Sequence, residues 1–184
     1  MQKLWQEKLK LNYSKEVIDI VQFGSSLYSE KPNDIDIAVI FKKIPLKEQL
    51  SQSQEIKKHL QTLSEISIHI SSFDLYSFFD AGNFAKENIL FYGKSLISKE
   101  YFAKTIGLNP LIQISYSLKH LKKKDKVRFN YLLNGKQGKY GLLRHYGGRI
   151  ISPGIIEILP EHEKIFTDEI KSIISEFKVR KILV

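Results

Sequence analysis

The sequence predicts an α/β domain over residues 1–100 and a smaller, basic α+β domain over residues 101–184. In the first hundred residues, segments whose apolar residues alternate as in β-strands are interleaved with segments that favour helices. Strands that alternate with helices build an α/β layer. The chain has 184 residues, of which 42% are hydrophobic, and this is enough for one ordinary core or for two small ones.

The predicted elements of the first domain rest on periodicity and on capping residues. Asp34–Phe41 is the clearest strand, because its side chains alternate between two faces of a sheet. Asp74 can cap the helix that follows it, and Gly93 can close another. In chain order we predict a short helix at 2–10, a strand at Val17–Phe23, a strand at Asp34–Phe41, a helix at Leu46–Leu63, a strand at Glu65–Ile70 and a helix at Phe84–Tyr92.

The second domain is predicted to mix short helices with a hairpin. A proline near the first turn favours a helix at Pro110–Leu121, and Pro153-Gly154 predicts the turn of a hairpin. Two short helices followed by a hairpin would suit a winged-helix-like nucleic-acid binder. The predicted elements are helices at Pro110–Leu121, Asp125–Leu133 and Tyr140–Tyr146, a hairpin at Arg149–Leu159, a helix at Pro160–Phe177 and a strand at Val179–Val184.

The net positive charge of the chain comes entirely from its second half. Residues 1–100 contain 13 basic and 13 acidic residues, whereas residues 101–184 contain 16 basic and 7 acidic ones. A concentrated positive charge attracts polyanions and releases their counterions, so we predict a nucleic-acid partner, with RNA favoured over DNA. A soluble basic surface without a partner is the alternative. The candidate nucleic-acid-binding residues are Lys122, Lys123, Lys124, Lys126, Arg128, Arg144 and Arg149.

The composition excludes several other classes of function. The chain contains no cysteine, which rules out disulfides and thiolate metal sites. Its apolar runs are far shorter than the roughly 20 residues that a membrane helix needs, so we expect no membrane association. We also find no signal-peptide pattern at the start. The sequence therefore predicts a cytoplasmic protein.

The stretch from Phe23 to Phe41 carries the pattern that points to chemistry. A predicted strand ends at Gly24-Ser25-Ser26, where a glycine lets the backbone approach a phosphate and hydroxyl and N–H groups can hold its oxygens. Asp34 and Asp36 then lie on one face of the next strand, about 7 Å apart along it. Mg²⁺ prefers such carboxylate ligands and bridges them to substrate phosphates.

Gly24, Ser25, Asp34 and Asp36 together resemble the signature of the DNA polymerase beta-type nucleotidyltransferase superfamily, over about residues 15–97. The resemblance implies a nucleotidyltransferase fold, with a mixed sheet flanked by helices. It implies that Asp34 and Asp36 hold two Mg²⁺ ions and that the turn of Gly24, Ser25 and Ser26 binds a nucleoside triphosphate. It also implies that a hydroxyl group of an acceptor attacks the α-phosphorus and releases pyrophosphate. The basic second half favours RNA, such as tRNA, as that acceptor.

One departure from that signature concerns the third carboxylate, which the superfamily supplies from the next long strand. Ser67 occupies the position where an acid is expected. Glu65 and His69 lie on the same predicted face, so either can take its place. His69 is the candidate catalytic base, because an imidazole titrates near neutral pH.

Two alternatives to an RNA-modifying enzyme remain open from the sequence. The short catalytic domain is compatible with a toxin–antitoxin-type minimal nucleotidyltransferase that modifies a protein or tRNA. The serine at the third acid position is compatible with a degenerate member that binds nucleotide or nucleic acid without transfer.

Overall fold

The chain divides into two compact units, Met1–Leu108 and Asn109–Val184. The computed structural model describes residues 4–136 and 138–184. The division lies a few residues after the predicted boundary at residue 100. Each unit combines a β-sheet with helices, which confirms the predicted α+β class. None of the helices in the described ranges is long and apolar enough to cross a membrane.

The first unit begins with a short turn of 3-10 helix at Leu4–Gln6, where a helix over 2–10 is predicted. The first two residues of that predicted helix, Gln2 and Lys3, lie outside the described part of the chain. The following elements are β1 (Val17–Phe23), β2 (Asp34–Phe41), α1 (Leu46–Thr62), β3 (Ser67–Asp74), α2 (Leu75–Phe79), α3 (Lys86–Tyr92), β4 (Lys94–Ser95) and α4 (Phe102–Thr105). The predicted strands β1 and β2 are confirmed with their bounds.

The sheet of the first unit has the strand order β3-β2-β1-β4. β1 pairs antiparallel with both β2 and β4, whereas β2 and β3 run parallel. A parallel pair needs a long crossover, and α1 provides it between β2 and β3. In this register Phe23 of β1 lies opposite Asp36, and His69 of β3 lies opposite the same residue.

Strand β2 is buried on both faces except at its first end. Its odd-numbered residues, from Ile35 to Phe41, join a core cluster with Ile56 and Leu60 of α1. On the opposite face, Ala38 and Ile40 are also buried. Only Asp34 and Asp36 keep partial exposure along this strand. The packing therefore leaves one end of the sheet open, and this end carries the two carboxylates.

The second unit is an antiparallel sheet with helices. Its elements are β5 (Pro110–Tyr116), α5 (Lys123–Asn134), β6 (Gly135–Lys136), β7 (Lys139–Tyr140), α6 (Leu142–Tyr146), β8 (Arg149–Ser152), β9 (Ile155–Ile158), α7 (Glu163–Lys171) and β10 (Phe177–Leu183).

The sheet has four strands in the order β10-β5-β9-β8. Helices α5 and α7 bury Phe129 and Phe166 in a core with Ile112 and Ile156 of the sheet. A short ribbon of β6 and β7 connects α5 to α6.

The predicted helix at Pro110–Leu121 is wrong, because residues Pro110–Tyr116 form strand β5. Ile112 and Ile114 are buried while Gln113 and Ser115 are half-buried, which is the alternation of a strand. β5 bonds to β10 on one side and to β9 on the other. Proline is tolerated there because it is the first residue of the strand, where its missing N–H matters least.

The end of the second unit departs from the prediction in two further respects. The predicted helix at Pro160–Phe177 is a 3-10 turn at Pro160–His162 followed by α7, which ends at Lys171. The β8–β9 hairpin is present as predicted, but β9 also pairs with β5. The hairpin is therefore part of the main sheet, and the likeness to a winged helix is limited to the order of helix, helix and hairpin.

Candidate functional site

Three side chains that commonly bind metal ions converge at the open end of the first sheet. One ligand atom each of Asp34, Asp36 and His69 lies within 4.8 Å of the others. Nδ1 of His69 is 3.4 Å from Oδ2 of Asp34. Asp34 and Asp36 share a face because they are two residues apart on β2. His69 joins them because the parallel register sets it opposite Asp36 on the neighbouring strand.

The Gly24 backbone lies directly against this cluster. An ideal Cβ atom on Gly24 would be 2.5 Å from Oδ2 of Asp36, so the position has no room for a side chain. Gly24 also has φ 76° and ψ −161°, a conformation that is essentially restricted to glycine. The turn after β1 and the carboxylates on β2 are therefore neighbours, as the antiparallel pairing of Phe23 with Asp36 requires.

The two serines after Gly24 have different surroundings. Ser25 is exposed, whereas Ser26 is fully buried. The Ser26 hydroxyl accepts a hydrogen bond from Nε2 of Gln22 at 3.1 Å and donates one to the Phe23 carbonyl at 3.3 Å. The Ser26 hydroxyl therefore stabilises the turn, and nucleotide binding by Gly24, Ser25 and Ser26 stays a prediction.

The backbone of the turn leaves a donor for a ligand at Ser25. Leu27 and Tyr28 donate hydrogen bonds to the carbonyls of Gly24 and Ser25. Among the backbone hydrogen bonds of the described chain, none outside helices and strands is donated by the N–H of Ser25, which is exposed. A free N–H group beside an exposed hydroxyl can bind phosphate oxygens.

The electrostatics of the site favour a cation. Burial raises the pKa of the Asp36 carboxyl above its ordinary value, and the nearby carboxylate of Asp34 raises it further. The His69 imidazole acts in the opposite direction. Two carboxylates thus compete for ionisation at short range, and a divalent cation between them would relieve their repulsion.

The third acid expected from the superfamily resemblance is absent at its predicted position, and His69 lies in its neighbourhood. Ser67 pairs with Asp34 in the parallel register and is exposed. Glu65, the other predicted substitute, precedes β3, which begins at Ser67, and it is not in the cluster. Of the two predicted substitutes, the structure brings only His69 to the carboxylates.

The geometry of the cluster fits one metal ion after small side-chain adjustments. Two ligands that are each about 2.1 Å from an ion can be at most about 4.2 Å apart. A spread within 4.8 Å is slightly wider than this limit. Because Asp34 and Asp36 are only partly buried and His69 is exposed, rotation of their side chains can close the difference.

In the second unit, the basic residues predicted to bind nucleic acid are exposed, but they differ in their contacts. Five of them cluster at the first turns of α5 or just before it, namely Lys122, Lys123, Lys124, Lys126 and Arg128. Arg144 of α6 stacks on the exposed ring of Tyr140, with its Cζ 4.0 Å from the ring centroid. Lys136 makes a similar contact with Tyr131 at 5.2 Å. Together these residues supply both cations and exposed aromatic rings, the two features that sites for unpaired bases combine.

Arg149 forms an ion pair within the fold, and its role as a phosphate contact stays a prediction. Its Nε and a terminal nitrogen donate to Oε2 of Glu157 at 3.1 and 2.8 Å. Glu157 is only 7% exposed and also accepts a hydrogen bond from Gln113 at 3.4 Å. Sequence reasoning missed Glu157, although the hairpin register sets it opposite Arg149 on β9.

No protein-family model, no curated protein and no solved structure matches this chain. The function proposed for it therefore rests on the residues, on the geometry of the two units and on the resemblance of the short signature around Gly24 and Asp34.

Proposed function

We propose that this protein is a metal-dependent nucleotidyltransferase that moves a nucleoside monophosphate from a nucleoside triphosphate to a hydroxyl acceptor, with RNA as the favoured acceptor. The observation that supports this most directly is the convergence of Asp34, Asp36 and His69 beside the Gly24 turn. Their adjacency is what a site for a metal-bound polyphosphate needs.

The division of roles follows from the positions of the side chains. The exposed Ser25 hydroxyl and the Ser25 N–H would bind phosphate oxygens, because they adjoin the carboxylates through Gly24. Asp34, Asp36 and His69 would hold a divalent cation. The bound cation would neutralise charge on the phosphate oxygens during an in-line displacement.

The proposed reaction forms one phosphorus–oxygen bond and breaks another. The acceptor hydroxyl oxygen attacks the α-phosphorus, and the bond from that phosphorus to the bridging oxygen of the β-phosphate breaks, releasing pyrophosphate. The acceptor loses its proton in the process, and a carboxylate oxygen of Asp34 or Asp36 that does not bind the cation is the base at hand, because an imidazole bound to the cation has no free nitrogen lone pair. Holding both reactants beside the cluster would supply much of the acceleration.

The basic surface of the second unit supports a nucleic acid as the acceptor. Five cations lie together around the start of α5, and two exposed tyrosines carry stacked cations nearby in the chain. Cations would bind the backbone phosphates, and the rings would stack on unpaired bases. Unpaired nucleotides at an RNA end are the substrate that matches both features.

The test is transfer of label from a nucleoside triphosphate, radioactive at the α-phosphate, to total RNA in the presence of Mg²⁺ or Mn²⁺. We expect Asp34→Asn and Asp36→Asn each to lower labelling by at least about 10²-fold, because each removes a charged ligand. Asp168→Asn, which changes an exposed carboxylate on α7, is the matched control and should label normally. Equal labelling by all four proteins would refute the proposal.

A second candidate function is binding of nucleotide without transfer, and the exposed Ser67 opposite Asp34 favours it. A serine cannot supply the negative charge of a third carboxylate. Calorimetry with a non-hydrolysable triphosphate and metal would then show binding, while the labelling experiment would show none. Ser67→Asp adds a carboxylate in register with Asp34, and under this second function it is the variant expected to gain transfer.

A further inference from the structure

We infer that His69 makes this site selective for a first-row transition ion, with Mn²⁺ bound in preference to Mg²⁺. The inference rests on the proposed function to the extent that both place a metal ion at Asp34 and Asp36. It goes further by naming the ion and the residue that selects it. The argument depends on the kinds of donor atom in the cluster and on their positions.

The donor set is mixed, since it contains two carboxylates and one imidazole. Mg²⁺ demands oxygen ligands in nearly ideal octahedral geometry and keeps much of its water. Imidazole nitrogen suits first-row transition ions, and of these Mn²⁺ is the one that shares the affinity of Mg²⁺ for carboxylate oxygen. A site built from Asp34, Asp36 and His69 therefore fits Mn²⁺ with all three groups, but fits Mg²⁺ well with only the two carboxylates.

His69 is positioned as a ligand and not as a distant neighbour. Nδ1 of the ring lies 3.4 Å from Oδ2 of Asp34, a separation typical of two ligands on one ion. The side chain is 61% exposed, so the packing around it does not prevent the small rotation that metal binding needs. The backbone under it is fixed, because β3 bonds to β2 along its whole length.

The other neighbours of the carboxylates offer no competing charged donor. Ser67, which pairs with Asp34, carries only a hydroxyl. Gly24, which contacts Asp36, carries no side chain. Among the described residues, this cluster of possible metal ligands consists of Asp34, Asp36 and His69. The nitrogen atom is consequently the feature that distinguishes this site from an all-oxygen site.

Metal binding by the full-length protein, without nucleotide, tests the inference independently of activity. Titration with Mn²⁺, followed by the electron paramagnetic resonance signal of the free ion, gives its affinity, and competition with Mg²⁺ gives the affinity of the second ion. Pulsed electron paramagnetic resonance then shows whether a ¹⁴N nucleus is bonded to the bound Mn²⁺. The variants are His69→Asp and His69→Gln, with His59→Ala on an exposed position of α1 as the matched control.

We expect wild-type protein and His59→Ala to prefer Mn²⁺ and to show the ¹⁴N coupling. His69→Asp should lose the coupling and lower the preference for Mn²⁺ over Mg²⁺ by at least about tenfold, while it keeps Mg²⁺ binding. His69→Gln should lose the coupling as well, and circular dichroism should show both variants folded.

Two results would overturn the inference, and they have different consequences for the proposed function. Mn²⁺ binding without ¹⁴N coupling, or an unchanged ion preference in His69→Asp, removes the role of His69 but leaves a carboxylate site and nucleotidyl transfer intact. Failure of both ions to bind wild-type protein removes the metal site itself, and RNA labelling should then be absent too.

Discussion

Replacing Gly24 by alanine tests whether the turn after β1 and the carboxylates of β2 form one site. The new Cβ would lie 2.5 Å from Oδ2 of Asp36. Carbon and oxygen atoms in non-bonded contact lie about 3.3–3.6 Å apart, so the Asp36 carboxylate must move by about 1 Å. The alanine must also adopt φ 76°, ψ −161°, which adds a strain of about 1–3 kcal/mol.

Three measured quantities should change as a result. The strain should lower the thermal midpoint of the first unit by roughly 4–8 °C for each kcal/mol, measured by differential scanning calorimetry. A displacement of about 1 Å at a reacting centre should lower nucleotidyl transfer by about 10²-fold. Mn²⁺ affinity should fall as well, because Asp36 no longer points toward its two partners.

Gly107→Ala is the matched control for strain. Gly107 has φ 81°, but a Cβ on it would have nothing within 4 Å. We expect this variant to lose stability without losing metal affinity or transfer. If Gly24→Ala were to retain both activities as fully as Gly107→Ala does, the turn and the carboxylates would not act as one site, and the reasoning would be wrong.

Three further predictions concern the basic surface, an ion pair and a helix cap. Lys124→Gln should reduce the slope of log RNA affinity against log salt by about one, measured by fluorescence anisotropy, because one phosphate contact is lost. Arg149→Met should lower the free energy of unfolding in urea by about 1–3 kcal/mol, because the buried Glu157 loses two hydrogen bonds. Asp74→Ala should cost about 0.5–2 kcal/mol at neutral pH, because Asp74 accepts a capping hydrogen bond from the N–H of Ser77. That hydrogen bond lowers the pKa of Asp74, so the stabilisation is present above the ordinary carboxyl pKa and is lost as pH falls through the lowered one.

Each of these predictions has a control or an outcome that would contradict it. Lys58→Gln, on an exposed position of α1, should leave the salt slope unchanged, and an equal effect there would show that charge alone matters. Arg149→Met should change RNA affinity less than Lys124→Gln, because Arg149 already pairs with Glu157, and the opposite order would contradict this expectation. An Asp74→Ala penalty that stays constant into acid would contradict the capping role of the carboxylate.

Local patterns in the sequence were sufficient to predict the part of the site that lies on β1 and β2. Strand alternation alone places Asp34 and Asp36 on one face, since side chains repeat every second residue. A glycine followed by a serine at the end of a strand predicts a turn that a ligand can approach closely. Both strands have the predicted bounds, and Gly24 contacts Asp36.

The same local reasoning failed where a proline and the hydrophobic pattern disagreed. At Pro110 the proline favoured a helix, whereas the alternation of Ile112 and Ile114 with polar residues favoured a strand. Pairing with β9 and β10 decided the conflict, because a strand bonded on both sides satisfies its backbone along its length. Such pairing partners lie far away in the chain and are invisible to a local pattern.

Only the tertiary structure decided which residues accompany the two aspartates. Alternation put Glu65 and His69 on one face, but the parallel register of β3 on β2 brings His69 to the cluster and leaves Glu65 before the strand. The sequence also gives no sign of the hydrogen bonds that the Ser26 hydroxyl and the Arg149 guanidinium form within the fold. The physical reason is common to all of these cases: register, burial and ion pairing depend on contacts between distant segments, whereas the direction of side chains along one strand depends on the backbone of that strand alone.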